Sequence, residues 1–94
     1  MRDKRTQDPA VSVEQLVLGR AVRELRARRA LSQEQLGFHS GLHRNYVGAI
    51  ERGEINPTFR TLLTVAAGLS LPLSEVVGLY ELRRPEHLPA EVAP

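Results

Sequence analysis

The chain has 94 residues, enough for one small domain that buries only part of its surface and depends on good helix packing or self-association. Hydrophobic residues make up 41% and aromatics 4%, the formal net charge is +2, and there is no cysteine, which excludes disulfides and thiolate zinc sites. No apolar run approaches the roughly 18 residues of a membrane span. The charged opening MRDKRTQDPA is not followed by a secretory apolar region, so the chain is expected to be soluble and cytoplasmic, with no membrane partner.

Charge is unevenly placed. Residues 1–29 hold eight Lys/Arg against four Asp/Glu, whereas residues 71–94 hold two against four. A basic end suits a polyanion, although a solvated helix face has the same composition. Residues 1–10 are polar and end in Asp8-Pro9, the pattern of a loose arm. Ser12-Val13-Glu14-Gln15 is a capping-box pattern, flanked by Val11 and Leu16 as a hydrophobic staple. A first helix then runs to about Arg29, with Leu18, Val22 and Leu25 on one face.

Leu31-Ser32 breaks this helix, and Ser32 with Gln35 caps a second over about 33–40. Gly41 suits the left-handed residue that ends a helix. A third helix covers about 44–52, with His43 near its N-cap, Val47 and Ile50 as its apolar side, and Gly53 as its stop. Asn56-Pro57 disfavours helix and Thr58 caps a fourth over roughly 59–69, with Phe59, Leu62, Leu63, Ala66 and Leu69 expected to face the core. After Ser70-Leu71-Pro72 a fifth helix is expected over about 73–81, with Val76, Val77 and Tyr80 inward. Pro85 and Pro89 argue against helix beyond it. The sequence therefore divides into an arm over 1–10, a compact all-α domain of five short helices over 11–82, and a tail over 83–94.

The second and third helices are too close for an ordinary connection. A tight pair needs small residues at two places and apolar residues at four. Gly37 and Gly41 fill the first set, and Leu36, Leu42, Val47 and Ile50 fill the second. A glycine between helices is common; all six at these offsets form a specific signal. Residues 18–77 resemble the Cro/repressor-like (Xre-type) helix-turn-helix family through LGRAVRELRARRALSQEQLG, SGLHRNYVGAIERGEINPT and TLLTVAAGLSLPLSEVV. The Ser-Gln-Glu-x-Leu and Ile-Glu-Arg-Gly segments are its specific parts. The resemblance implies a five-helix, lambda-repressor-like domain that binds double-stranded DNA, usually as a dimer, to regulate transcription. Three positions depart from the family pattern: Phe38 replaces a charged residue, and Gly48 and Gly68 lie inside helices.

An inserted helix reads base edges with residues near its N-terminus and along its outer face. On the third helix those are Arg44, whose fork matches guanine, Asn45, which matches adenine, Gly48, and Ala49, which suits a thymine methyl. Phosphate contacts fix register without reading sequence. Gln33 sits where the N–H groups and dipole of the second helix attract an anion, and the resemblance gives it the further task of bracing the third helix. His43, Tyr46, Arg52, Thr58 and Arg60 are the other phosphate candidates. Tyr46 suits a surface cover equally well, and Arg52 suits a helix C-terminus for dipole reasons alone. Gly48 suits close backbone approach to DNA or is a tolerated change; Phe38 suits a dimer contact, a patch under the arm, or a lone exposed aromatic. The resemblance assigns Arg26 and Glu51 to a largely buried salt bridge of structural use.

Other chemistries find less support. His39 and His43 have zinc-like spacing, but Gly41 interrupts the helix between them. With neither a cysteine nucleophile nor a glycine-rich phosphate loop, an enzyme, a metal site, a cofactor and a small-molecule effector are not expected. The rival reading is a protein-interaction, antitoxin or controller module using the same surface. The expected assembly is a homodimer on a pseudo-palindromic site with half-sites ~34 Å apart. Its contact is expected on the fifth helix, around Leu79, Tyr80 or Leu82.

Overall fold

The computed structural model describes residues 12–87. Among these it contains five helices and no strand: α1 (Val13–Arg28), α2 (Gln33–Ser40), α3 (Arg44–Glu51), α4 (Phe59–Gly68) and α5 (Leu73–His87). The expected arm and the Val11 half of the staple lie outside the described residues.

Side-chain capping sets the N-terminal boundaries of the first four helices. The hydroxyl of Ser12 accepts from Gln15 N–H (3.1 Å). The Gln15 side chain does not complete a box with Ser12 N–H; its amide donates to the Gly53 carbonyl at 3.1 Å, which ties the start of α1 to the end of α3. At α2 the box is complete, with Gln35 N–H donating to Ser32 Oγ (3.0 Å) and Ser32 N–H to Gln35 Oε1 (2.8 Å). Gly41 takes the left-handed conformation at φ 72°. Two other helices end on left-handed residues that are not glycine, Ala30 and Ser70, both at φ 58°. In each, the following N–H bonds back five residues, Leu31 to Arg26 and Leu71 to Ala66. Arg29 covers the second of these ends, donating to the Leu69 and Ser70 carbonyls at 2.8 Å each.

One core forms where α1 packs on α3 and α5, and α2 packs on α3 and α4. Its members include Val22, Leu25, Leu36, Val47, Ile50, Val65, Ala66, Leu69 and Val76. Two glycines permit these approaches. A Cβ at Gly19 would strike the Ile50 carbonyl oxygen and lie 2.6 Å from that of Glu51, so α1 crosses α3 with backbone nearly on backbone. A Cβ at Gly68 would strike Ser40 Oγ, so the unusual glycine in α4 is what lets α2 close. That hydroxyl is buried with no hydrogen-bond partner among the described residues.

Three expectations are corrected. On α4 the buried stripe is Val65, Ala66 and Leu69, with Leu62 half-buried one turn before it. Phe59, in the first turn, is 67% exposed, and Leu63, rotated off the stripe, is 44% exposed. On α5, Val76 and Leu79 are buried and Val77 is exposed. Leu79, expected at a dimer contact, is thus spent inside its own core. Finally, α5 continues to His87 with Pro85 inside it. Arg83 continues the inward side of α5 and grips Glu24 of α1 through Nη2–Oε2 (2.8 Å) and Nε–Oε1 (3.2 Å). Proline removes one backbone bond from the last turn, and this long-range fork holds the helix across the place where the sequence alone predicts an end.

Candidate nucleic-acid interface

The turn between α2 and α3 relies on two glycines, Gly37 inside α2 and Gly41 at its end. A Cβ at Gly37 would sit 2.5 Å from the Leu42 carbonyl and 3.3 Å from Arg44 N. Its neighbour is therefore the turn itself rather than the body of α3. Leu42 N–H donates to the Gly37 carbonyl (2.8 Å), which closes the turn and returns Leu42 toward the core.

His43 caps α3 unusually. Its Nδ1 accepts from Asn45 N–H at 3.0 Å. An imidazole nitrogen that accepts carries no hydrogen, so the proton of the neutral ring is on Nε2. The cap fixes the direction in which the first turn of α3 leaves the bend. Val47, Ile50 and Glu51 then face inward, while Arg44, Asn45 and Arg52 are exposed, Ala49 is half-buried and Tyr46 is on the edge between the two sides.

Beneath this surface is a chain of polar contacts. Arg26 forks onto Glu51, Nε to Oε2 at 2.6 Å and Nη2 to Oε1 at 3.0 Å, and its Nη1 donates to the Leu31 carbonyl at 2.8 Å. The Glu51 side chain is only 3% exposed and that of Arg26 16%. Hydrogen bonding to Glu51 raises the Arg26 pKa above its ordinary value, against the opposing effect of burial. Gln33 Nε2 donates to Glu51 Oε1 at 3.0 Å. One carboxylate thus joins α1, the start of α2 and the end of α3, and Gln33 does brace α3 as the resemblance implied.

The outer face holds further contacts that spacing did not suggest. Arg44 comes within 3.9 Å of Glu34 across the bend. Arg52 forks onto Glu54, Nε to Oε2 at 2.7 Å and Nη2 to Oε1 at 3.2 Å. That bonding holds the Glu54 carboxyl below its ordinary pKa. Gly48, expected on the exposed stripe, is buried. A Cβ there would lie 2.9 Å from Arg52 Nη1 and 3.4 Å from Gln33 Oε1, so these two side chains cover it. The structure therefore brings Gln33 and Arg52 together over Gly48, and sets Arg44 beside Glu34. Thr58 caps α4, its Oγ1 accepting from Thr61 N–H (3.1 Å), and Arg60 stands exposed in the next turn. Phe38 is 84% exposed, with His39 edge-on beside it at 5.8 Å between ring centres.

A bend of this size, with one helix braced across another and an arginine- and amide-bearing face turned outward, defines a helix-turn-helix protein. The model of the helix-turn-helix family matches residues 22–76, and the chain belongs to that family, in its Cro/repressor-like branch. Among curated proteins it is 43% identical over 67 residues to Control protein C.SmaI of Serratia marcescens, covering 71% of this chain and 80% of that one. It is 35% identical over 71 residues to the immunity repressor protein of Bacillus phage phi105, and it spans about half of that relative, 49%, and 76% of itself. Among solved structures, the restriction-modification controller protein C.AhdI from Aeromonas hydrophila superposes with a TM-score of 0.68 at 40% identity, over 69% of this chain and 98% of that one. The controller C.Esp1396I, at 24% identity, shares the fold with a TM-score of 0.75, over 81% of this chain and 99% of that one.

Proposed function

We propose that this chain is a transcription regulator that binds specific sequences in double-stranded DNA by laying α3 in the major groove. The observation that carries the reading is the division of α3: Val47, Ile50 and Glu51 anchor one side while Arg44, 3.9 Å from Glu34 of α2, and Asn45 are exposed on the other. Arg44 reads guanine O6 and N7, Asn45 reads adenine N6 and N7, and Ala49 lies against a thymine methyl. Gln33, His43 through its Nε2–H, Tyr46, Arg52, Thr58 and Arg60 meet phosphates and set register. No cofactor, metal or small-molecule effector takes part, the protein is not an enzyme, and it acts in the cytoplasm.

The similarity to Control protein C.SmaI and to the controller C.AhdI favours a finer role, control of a restriction-modification operon. The working form is a homodimer on a pseudo-palindromic operator. Its contact includes Tyr80 and Leu82 of α5; Leu82 is 63% exposed, while Leu79 is buried and does not contribute.

Selection of sites from random duplexes at two salt concentrations tests the reading. Arg44→Ala is expected to relax discrimination at one or two base positions, by ~1–3 kcal/mol each. Retention of no duplex at low ionic strength refutes DNA binding. An unchanged site preference in Arg44→Ala refutes the role of that residue. In sedimentation equilibrium, Leu82→Glu is expected to yield monomers; an unaltered dimer moves the contact elsewhere.

A further inference from the structure

Glycine in the middle of an eight-residue helix weakens it, and Gly48 sits where periodicity turns a residue outward. It is nonetheless covered. The space that a Cβ would fill is taken by Arg52 Nη1, 2.9 Å away, with Gln33 Oε1 at 3.4 Å. The two occupants are differently held. Gln33 is anchored through its other amide atom, Nε2, to buried Glu51. Arg52 is anchored through Nε and Nη2 to the Glu54 carboxylate. A fork on that edge of the guanidinium leaves both Nη1 hydrogens and one Nη2 hydrogen unspent. The Nη1 end is the part that reaches back across α3.

We propose that Gly48 is a positioning residue for Arg52: by lacking a Cβ it opens a slot across the recognition helix in which Glu54 holds the Arg52 guanidinium, its Nη1 end directed at the DNA. This rests on the DNA-binding reading above and adds a division of labour to it. Gly48 itself reads no base. Glu54, a carboxylate next to a polyanion, is useful there because it removes the rotational freedom of Arg52. The gain comes from a directed donor rather than from net charge, since the Arg52–Glu54 pair is neutral as a unit. Lys at position 52 would not replace it, because an ammonium has no planar edge to give to Glu54 while keeping a second edge free.

The obstruction that Gly48→Ala creates is the far end of a flexible side chain, so the variant folds, and alanine is the better helix former. Stability and binding should therefore move in opposite directions. Duplex affinity is measured for the unsubstituted protein, Gly48→Ala, Arg52→Ala and the double variant, on the selected site and across a salt series. Gly48→Ala is expected to melt no lower than the parent and to bind about tenfold more weakly. Arg52→Ala is expected to bind more weakly at every salt concentration in the series. The double variant is expected to bind no more weakly than Arg52→Ala alone. Parental affinity in Gly48→Ala, a lowered melting temperature, or a Gly48→Ala loss that persists undiminished without Arg52 overturns the proposal while leaving DNA binding intact. Failure of the unsubstituted protein to retain any duplex overturns both.

Discussion

Removal of Glu51 offers the sharpest quantitative test of how α3 is held. Glu51→Ala deletes both arms of the Arg26 fork, at 2.6 and 3.0 Å, and the Gln33 bond at 3.0 Å. Arg26, its side chain only 16% exposed, is left with one backbone acceptor, the Leu31 carbonyl. Stranding a buried charge costs about 3–5 kcal/mol. The surviving carbonyl bond and partial access to water place this case at the lower end, ~3 kcal/mol. For a domain this small each kcal/mol moves the melting temperature by roughly 4–8 °C, so a fall of about 12–24 °C is expected by far-UV circular dichroism. Denaturant titration should give the same free energy with the slope unchanged. Arg26→Met/Glu51→Leu, which removes both charges and keeps the volume, should recover most of the loss. A Glu51→Ala cost below ~1 kcal/mol, the range of exposed ion pairs, would refute the reasoning. So would a double variant no more stable than the single one.

Gly19→Ala should be among the most damaging methyl additions in the chain, at ~2–3 kcal/mol despite better helix propensity, because its Cβ meets the carbonyls of Ile50 and Glu51, backbone that cannot rotate away; calorimetry checks it. Ala30→Gly should instead stabilise by ~0.5–1 kcal/mol, since Ala30 ends α1 at φ 58° where a Cβ is strained, and an unchanged denaturation midpoint would count against that. Glu24 has its pKa lowered chiefly by hydrogen bonding to Arg83, with burial opposing and Arg28 assisting. A carboxyl more acidic folded than unfolded stabilises fully above its unfolded pKa and loses that contribution as pH falls through the folded one. Glu24→Gln should therefore be less stable than the parent at neutral pH and converge with it in acid. Its amides near residues 83–87 should exchange faster, while parallel stability curves at all pH values would sink the idea.

Capping chemistry and short-range spacing are local, so what depends on them was legible in the residues alone: the starts of α1 to α4, the turn at Gly41, and the Val47/Ile50 anchor of α3. Long-range matching is not local, and what rests on it emerged only once the helices were packed together. Pro85 predicts a helix end, yet Arg83 finds Glu24 59 positions away and α5 continues to His87. Gly68 reads as a weak point until Ser40 of α2 is found against it. Gly48 has the periodicity of an outward residue, but side chains from Gln33 and Arg52 lie over it, and no helical wheel of α3 contains Gln33. Leu79 has the look of a free contact until the core closes on it. A sequence states which side of each helix is apolar; which side chains fold back across a helix, and which backbones touch, depends on how the helices cross.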